Sequence, residues 1–262
     1  MNTNPSDTPV ALVTGGARGI GLAIGRWFLD RGHRVVLLDI DAPELARAEA
    51  SLADPRVLAV VADVSQPDQV AQAVARVDAA FGRIDALVNN AGVAVFKHIG
   101  ATSFDEWRHV MGTNLDGPFL CTQAVAPIMR RAGRGGAVVN IVSISGLRAS
   151  TMRVAYGTSK AALIHLTRQQ AVELGNEGIR VNAVAPGPVD TEMAKQVHTA
   201  AIRADYHDAI PLARYGSPEE IAECVGWLCS PAASYVNGQT IAADGGFDAA
   251  GIGLPTLRRG AV

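Results

Sequence analysis

Short apolar runs rich in β-branched residues alternate with longer helical patterns along the whole 262-residue chain. The runs lack polar alternation, Arg34-Val35-Val36-Leu37-Leu38 being one example, which is typical of strands covered by helices on both faces. The predicted strands are Val10–Thr14, Arg34–Asp39, Val57–Val61, Ala86–Asn89, Ala137–Val142, Arg180–Ala185 and Thr240–Ala243. The predicted helices are Ile20–Arg31, Pro43–Leu52, Pro67–Phe81, Phe104–Arg131, Ala155–Asn176 and Pro218–Cys229.

This alternation predicts an α/β fold in which right-handed crossovers build a doubly wound parallel sheet of about seven strands, with helices on both faces. The length suits one well-buried domain, and no linker, repeat or low-complexity tract divides it, so 1–262 is predicted to be a single domain. Three segments extend this core: an N-terminal extension at 1–9, a substrate lid at about 191–211, and a C-terminal tail at 247–262.

Composition excludes several classes of partner. The formal net charge of −2 gives no electrostatic reason to expect binding to nucleic acid or to an acidic membrane. The N-terminus has no apolar signal core and no stretch reaches the ~18 apolar residues of a membrane span, which predicts a cytoplasmic protein. The three cysteines and six histidines lack the spacing of metal ligands, so no metal site is expected.

A glycine-rich loop, Thr14–Gly21, follows the first predicted strand and opens the first predicted helix. Glycines there permit a tight turn and let a pyrophosphate approach the backbone at the positive end of the helix. Asp39 follows 18 residues after Gly21, at the end of the second strand, where an acid can accept hydrogen bonds from the adenosine ribose. The pattern predicts a dinucleotide site.

Asp39 also bears on the choice between NAD and NADP. Its carboxylate would repel a 2′-phosphate at short range. Arg18, in the glycine loop, could hold that phosphate, or it could pair with Asp39 or with the pyrophosphate. Because the repulsion acts at the shorter range, the sequence predicts NAD as the cofactor.

Tyr156 and Lys160 are four residues apart near the start of a predicted helix, so their side chains share one face. A fixed ammonium favours the phenolate, and lowering the phenol pKa by roughly 2–3 units would make it a usable base at neutral pH. By itself the pair is also typical of a solvated lysine beside a half-buried tyrosine, because this spacing is common.

Taken in order, the motifs of this chain resemble those of the short-chain dehydrogenase/reductase family from about Val10 to Gly246. The motifs are the Thr14–Gly21 loop, Asp63-Val64, Asn89-Asn90-Ala91-Gly92, Asn114, Ser143, Tyr156-x-x-x-Lys160, Pro186-Gly187 and Asp244-Gly245-Gly246. The resemblance implies a Rossmann-type domain that acts as an enzyme. It also implies a homotetramer with paired long helices and paired final strands.

The resemblance assigns four catalytic roles. Tyr156 would be the general acid/base, and Ser143 would hydrogen-bond the substrate oxygen. Lys160 would bind the nicotinamide ribose and lower the pKa of the tyrosine. Asn114 would hold a water that relays the proton. Ser145 is the other candidate for the serine role, but the spacing of 13 residues to Tyr156 favours Ser143.

The same resemblance places the cofactor against loops at the carboxyl ends of the strands. The predicted contacts are Gly15, Arg18, Gly19, Ile20, Gly21, Asp39, Asp63, Val64, Asn90, Ala91, Gly92, Tyr156, Lys160, Pro186, Gly187, Val189 and Thr191. Some of these have a purely structural alternative: Asp63 as a cap, Asn90 as a turn residue, and Thr191 as a helix N-cap.

The predicted substrate residues are Val95, Ser145, Arg153 and His198. Arg153 is distinctive because many relatives carry a neutral, often amide, side chain three residues before the tyrosine. A guanidinium there could bind a carboxylate, phosphate or sulfonate, or several sugar hydroxyls. The alternative is an arginine that faces solvent or a neighbouring subunit.

Together these observations predict an NAD-dependent oxidoreductase that interconverts a polar secondary alcohol with its ketone or lactone by hydride transfer. The alcohol would be of the sugar, polyol or hydroxy acid type. The alternative is a reductase of 3-oxoacyl thioesters on acyl-carrier protein, which generally uses the NADPH that Asp39 disfavours. A non-catalytic NAD-sensing regulator is a more remote alternative, because all four catalytic residues are present.

Overall fold

The computed structural model describes residues 8–251. Most of the predicted N-terminal extension, 1–7, and most of the predicted C-terminal tail, 252–262, lie outside the described residues. Within 8–251, seven parallel strands form one sheet in the order β3-β2-β1-β4-β5-β6-β7. The strands are β1 Val10–Thr14, β2 Arg34–Asp39, β3 Val57–Val61, β4 Ala86–Asn89, β5 Gly136–Ile141, β6 Ile179–Pro186 and β7 Thr240–Ala243. The predicted doubly wound sheet is confirmed.

Helices cover both faces of this sheet. They are α1 Gly19–Asp30, α2 Ala42–Leu52, α3 Pro67–Phe81, α4 Phe104–Met111, α5 Gly117–Ala132, α6 Ile144–Leu147, α7 Val154–Leu174, α8 Glu192–Val197, α9 Ala200–Ala209 and α10 Pro218–Cys229. Ser103 and Ser217 each begin a helix with a complete capping box, in which the serine and a glutamate three residues later satisfy each other's backbone N–H.

The continuous apolar strands supply two separate hydrophobic cores. Along β1, Val10 and Leu12 pack into the core formed with α3 and α5. Ala11 and Val13, on the opposite face, pack into the core formed with α1, α2 and α10. Successive side chains of a strand point to opposite faces, so a strand covered on both sides is apolar at every position.

The crevice at the carboxyl ends of β1 and β4 is where the strand order reverses. From β1 the chain proceeds to β2 on one side, and later returns to β4 on the other side of β1. In open α/β sheets this switch point is where ligands bind, because the connecting loops diverge and leave a cleft. The glycine loop after β1 and the loop after β4 border this cleft.

The predicted helix Phe104–Arg131 is interrupted, and the single-helix prediction was wrong. A π-helical turn at Gly112–Asp116 separates α4 from α5. A π turn widens the helix and redirects the side chains it carries, and such turns are frequent at functional sites. Asn114 is one of the residues in this turn.

The segment predicted as a lid, at about 191–211, contains α8 and α9. Thr191 and Thr199 cap these two short helices through their side-chain oxygens. Among the residues that the structure describes, no helix has the length and apolarity needed to cross a membrane.

Candidate active site

The glycine loop presents the open N-terminus of α1. The helix N-cap is Arg18, which offers no side-chain oxygen to the first-turn N–H groups, and no acidic side chain occupies that turn. Gly15 and Gly19 adopt φ values of +63° and +53°, and a Cβ on Gly21 would lie 2.0 Å from the Gly15 carbonyl oxygen. The free N–H groups and the close packing fit a pyrophosphate at the positive helix end.

Hydrogen bonds fasten the glycine loop to the loop after β4. The Thr14 hydroxyl accepts from the backbone N–H of Asn90 at 3.0 Å and of Ala91 at 3.1 Å. The Asn90 side chain donates to the carbonyls of Thr14 and Gly15, each at 3.0 Å. In this structure the Asn90 amide holds the loop in place, as the turn-residue alternative expects. Thr14 is a positioning residue that the motifs alone did not identify.

The Asp39 carboxylate is anchored at the carboxyl end of β2. Its two oxygens accept from the N–H of Ala17 and of Asp41, each at 3.1 Å. Arg18 pairs with Asp41 at 3.3 Å and makes no ion pair with Asp39. The arginine of the loop therefore pairs with a second carboxylate, which was not among the three partners considered for it from the sequence.

The remaining predicted cofactor residues lie on three loops of the cleft. Asp63 accepts from the N–H and the hydroxyl of Ser65 at 2.9 and 2.8 Å, as a cap does. Val64 and Val189 are buried. Thr191 caps α8, and its methyl group would lie 3.6 Å from a Cβ placed on Gly19. The loop after β6 thus meets the glycine loop across the cleft.

The Ser143 side chain lies beside the Tyr156 phenol and acts on its pKa. Ser143 is buried at the N-cap of α6, directly after β5, and its oxygen accepts from the Ser145 N–H at 3.1 Å. The hydrogen bond between the Ser143 and Tyr156 side chains lowers the pKa of the phenol. Ser145 instead contacts Ser150 at 3.1 Å and Arg153 at 3.4 Å. The geometry therefore favours Ser143 over Ser145 as the partner of the tyrosine.

Burial raises the pKa of Tyr156, and the Ser143 hydrogen bond and the charge of Arg153 oppose that rise. The lowering of the Tyr156 pKa by Lys160 stays a prediction. The Lys160 ammonium lies 5.8 Å from the centre of the phenol ring. It donates to the Ile141 carbonyl at 2.8 Å, and its burial lowers the pKa of Lys160 to about 8.

Asn114 is tied to the protein at both ends of its amide. Its oxygen accepts from the Val93 N–H at 2.9 Å, and its nitrogen donates to the Val93 carbonyl at 2.9 Å and to Ser159 at 3.0 Å. Ser159 donates in turn to the Tyr156 carbonyl at 2.7 Å. Ser159 lies inside the Tyr156-x-x-x-Lys160 motif, yet the spacing alone did not reveal its role in holding α7 to the π turn.

The predicted substrate residues surround the same cleft. Arg153, the N-cap of α7, donates to Ser145, and its guanidinium carbon lies 5.1 Å from the centre of the Phe96 ring. Val95 is half-buried on the loop after β4. His198, between α8 and α9, lies 3.0 Å from the Tyr215 hydroxyl through its Nδ1. Arg153 therefore faces the protein and does not extend into solvent.

Known proteins match this chain over nearly its whole length. A family model described as enoyl-(acyl carrier protein) reductase matches residues 15–248. The chain belongs to the short-chain dehydrogenase/reductase family. Members of this family are oxidoreductases that act on CH–OH groups and bind a nicotinamide cofactor, and this protein is one of them.

Several family members are similar to this chain at comparable levels. The cis-4-hydroxycyclohexanecarboxylate dehydrogenase of Sinomonas cyclohexanicum is 41% identical, over 92% of this chain and 96% of its own. The 3-oxoacyl-[acyl-carrier-protein] reductase FabG of Chlamydia muridarum is 37% identical, over 90% and 96%. The crystal structure of levodione reductase superimposes with a TM-score of 0.89 at 36% identity, over 92% and 98%.

Proposed function

We propose that this protein is an NAD-dependent dehydrogenase of a polar secondary alcohol, with Tyr156 as the general base. The observation that carries the proposal is the Tyr156 phenol beside Ser143, with the buried Lys160 ammonium 5.8 Å from the centre of the phenol ring. This group lies at the carboxyl edge of the sheet, across the cleft from an uncapped helix N-terminus suited to a dinucleotide. A relative named for oxidising a hydroxy acid, at 41% identity, supports the substrate class.

The side chains divide the work at the reacting alcohol. Ser143 hydrogen-bonds the substrate oxygen, and Tyr156 removes the hydroxyl proton. Lys160 has one of its three N–H groups on Ile141, which leaves two for ribose hydroxyls. Asn114 and Ser159 hold α7 so that Tyr156 keeps its position. Bound NAD supplies the two-electron acceptor, so the alcohol loses a hydride from carbon and a proton from oxygen and becomes a ketone.

A substrate screen tests this function. Native protein with NAD is offered polyols, sugars, hydroxy acids and simple alcohols, and NADH formation is followed by absorbance. We expect turnover with at least one hydroxy acid or polyol, and little with small unfunctionalised alcohols. Absence of turnover across the panel, with NADH still bound, would instead indicate the NAD-sensing alternative.

The second candidate is a 3-oxoacyl-thioester reductase, which the 37% identity to FabG favours. In this reaction Tyr156 donates a proton to the forming alcohol, so the same pair of residues serves. The two functions are distinguished by measuring which cofactor and which substrate give the higher kcat/KM. Reduction of a 3-oxoacyl thioester with NADPH, at a higher kcat/KM than any NAD-linked oxidation, would establish the second function and overturn the first.

Preference for NAD is a separate part of the proposal. Replacing Asp39 with Ala removes the carboxylate that would repel a 2′-phosphate, so the preference should move toward NADP. The measurement is the ratio of kcat/KM with NAD to that with NADP. We expect native protein to favour NAD by at least about tenfold, equivalent to ~1.4 kcal/mol, and the variant to lose most of that preference.

Asp41→Asn provides the matched control for Asp39→Ala. It releases Arg18 from its ion pair but leaves the anchored Asp39 carboxylate in place. We expect it to change the NAD/NADP ratio less than Asp39→Ala does. A native preference for NADP, or a larger effect of Asp41→Asn, would show that Arg18 and not Asp39 governs the choice.

We also propose that the protein assembles as a homotetramer. Support comes from large apolar side chains exposed on the helices that the family resemblance pairs, Phe119 on α5 and Val172 on α7. We expect analytical ultracentrifugation to give four times the 27.3 kDa chain mass. Val172→Asp, which places a charge on this face, should shift the distribution toward smaller species. A monomeric native protein would contradict the proposal.

A further inference from the structure

Three arginines border the region between Ser145 and the aromatic side chains of the predicted lid. Arg148 pairs with Asp248 at 3.0 Å. Arg203 pairs with Asp190 at 2.7 Å. Arg153, which lies closest to Ser145, has no ion pair with any carboxylate among residues 8–251. Two of the three charges are thus compensated within the protein, and the third is left for a ligand.

The Arg153 guanidinium is held in place without being neutralised. One nitrogen donates to Ser145 at 3.4 Å, and the Phe96 ring lies against the guanidinium at 5.1 Å. Arg153 is also the N-cap of α7, and no side-chain oxygen caps this helix. The positive helix end and the guanidinium therefore add, which favours an anion at this position.

The charge of Arg153 acts across the cleft. Burial raises the pKa of Tyr156 and of Tyr215 and lowers that of His198, and the positive charge of Arg153 acts toward a lower pKa at all three. Tyr156 lies on α7, and His198 and Tyr215 lie in the segment after β6. The guanidinium is therefore close enough to affect charges on both of these sides of the cleft. A ligand between Tyr156 and His198 would therefore experience this positive charge.

Aromatic rings form the wall beyond Arg153. His198 and Tyr206 stack with ring centres 5.3 Å apart, and Tyr206 contacts Tyr215 at 5.8 Å and Phe247 at 6.1 Å. Arg203 lies over the Tyr215 ring at 4.7 Å and Arg148 over the Phe247 ring at 5.7 Å, and these two arginines are the ones paired with Asp190 and Asp248. Such a wall suits an apolar carbon skeleton better than a polyol, whose many hydroxyls require acceptors.

We infer that the substrate is a hydroxy acid whose carboxylate pairs with Arg153 and whose apolar skeleton lies against this aromatic wall. Its secondary hydroxyl would then lie at Ser143 and Tyr156, and the carboxylate takes no part in the oxidation. The inference rests on the proposed dehydrogenase function, and it narrows the substrate class of the same site. Guanidinium and carboxylate match in shape and form paired hydrogen bonds, which gives the selectivity.

A matched substrate pair tests this inference. 4-Hydroxycyclohexanecarboxylate and its methyl ester carry the same hydroxyl and ring, and only the acid is charged. We expect native protein to show at least a tenfold higher kcat/KM for the acid. Arg153→Gln should remove most of that preference, because we expect the rate with the acid to fall at least tenfold more than the rate with the ester. Arg153→Lys should retain part of the preference.

Arg148→Gln is the control, because it removes a guanidinium that borders the same region but is already paired with Asp248. We expect it to change the acid-to-ester ratio less than twofold. Equal losses for acid and ester in Arg153→Gln, or a native preference for the ester, would overturn the inference.

A binding measurement tests the carboxylate site independently of the proposed dehydrogenase activity. Cyclohexanecarboxylate, which has no hydroxyl to oxidise, is titrated calorimetrically into the native protein with NADH bound, and into Arg153→Gln. We expect at least tenfold weaker binding to the variant. If native protein oxidises no alcohol but binds this acid through Arg153, the dehydrogenase proposal fails and the carboxylate site stands. Equal or absent binding in both proteins would refute the site.

Discussion

Tyr156→Phe should lower kcat at least about a hundredfold while leaving NADH affinity within about twofold of native. General acid–base groups contribute about 10²–10⁴ to rates, and this change removes only the hydroxyl. The ring that fills the buried space beside Ser143 and Lys160 remains, so the cleft should keep its shape. Steady-state rates with the best substrate of the screen, together with NADH fluorescence titration, supply the measurement.

Tyr235→Phe is the control for Tyr156→Phe, because Tyr235 is fully exposed and distant in sequence from the cleft. It should retain native kcat and KM. If Tyr156→Phe keeps a tenth or more of the native rate, another group removes the proton and the assigned base is wrong.

Lys160→Met should weaken NAD binding and lower kcat together, with kcat/KM falling about a hundredfold or more. Lys160 is only 3% exposed and its ammonium has Ile141 as its one hydrogen-bond partner within the described chain, so the remaining N–H groups can serve a ligand. Met has a similar length and no charge, so the change removes the ammonium with little change in volume. Kinetics at saturating and limiting NAD separate the two effects.

The same variant should be nearly as stable as native protein at pH 7. Burial lowers the pKa of Lys160 from 10.5 to about 8, so keeping it charged costs the native state about 3 kcal/mol below pH 8. Met removes this cost, but it also leaves the Ile141 carbonyl without its partner, at about 1–3 kcal/mol. A loss of several kcal/mol in urea unfolding would show that Lys160 supports the fold and not the reaction.

The contribution of Lys160 to the free energy of unfolding changes with pH in a definite direction. Because the folded pKa is below the unfolded one, the unfolded chain binds more protons between about pH 8 and 10.5. The Lys160 contribution to native stability therefore improves as pH rises through that window. Native protein gains this contribution as the pH rises from 7 to 10, and Lys160→Met does not. The free energy of unfolding of the variant minus that of native protein should therefore fall over this range. Parallel stability curves for the two proteins would contradict the buried charge.

Local sequence patterns were enough to define the sheet and most helix ends. The apolar runs at β1 and β2 were predicted with their observed bounds, because a strand covered on both faces is apolar at every position. The helices at Phe104 and Pro218 were predicted with their observed starts, because the residues that form their capping boxes are only three positions apart. The Tyr156 and Lys160 spacing likewise placed both side chains on one side of α7.

Partners distant in sequence were decided only by the tertiary structure. In the π turn, Asn114 hydrogen-bonds Val93 and Ser159, which lie outside its own helix. The hydrophobic periodicity of the helix holds no information about these two partners. The ammonium of Lys160 hydrogen-bonds the Ile141 carbonyl at the end of β5 and lies 5.8 Å from the centre of the Tyr156 ring, and the spacing alone gave neither contact.

The charge pairing of the arginines was also beyond the sequence. Arg148, Arg153 and Arg203 look alike in a linear pattern, and their difference depends on whether Asp248 or Asp190 comes within reach in the fold. Sequence determines backbone conformation through neighbours a few residues apart. Arg148 and Asp248 are 100 residues apart and meet only through the packing of their segments, and within residues 8–251 the same packing leaves Arg153 without a carboxylate partner.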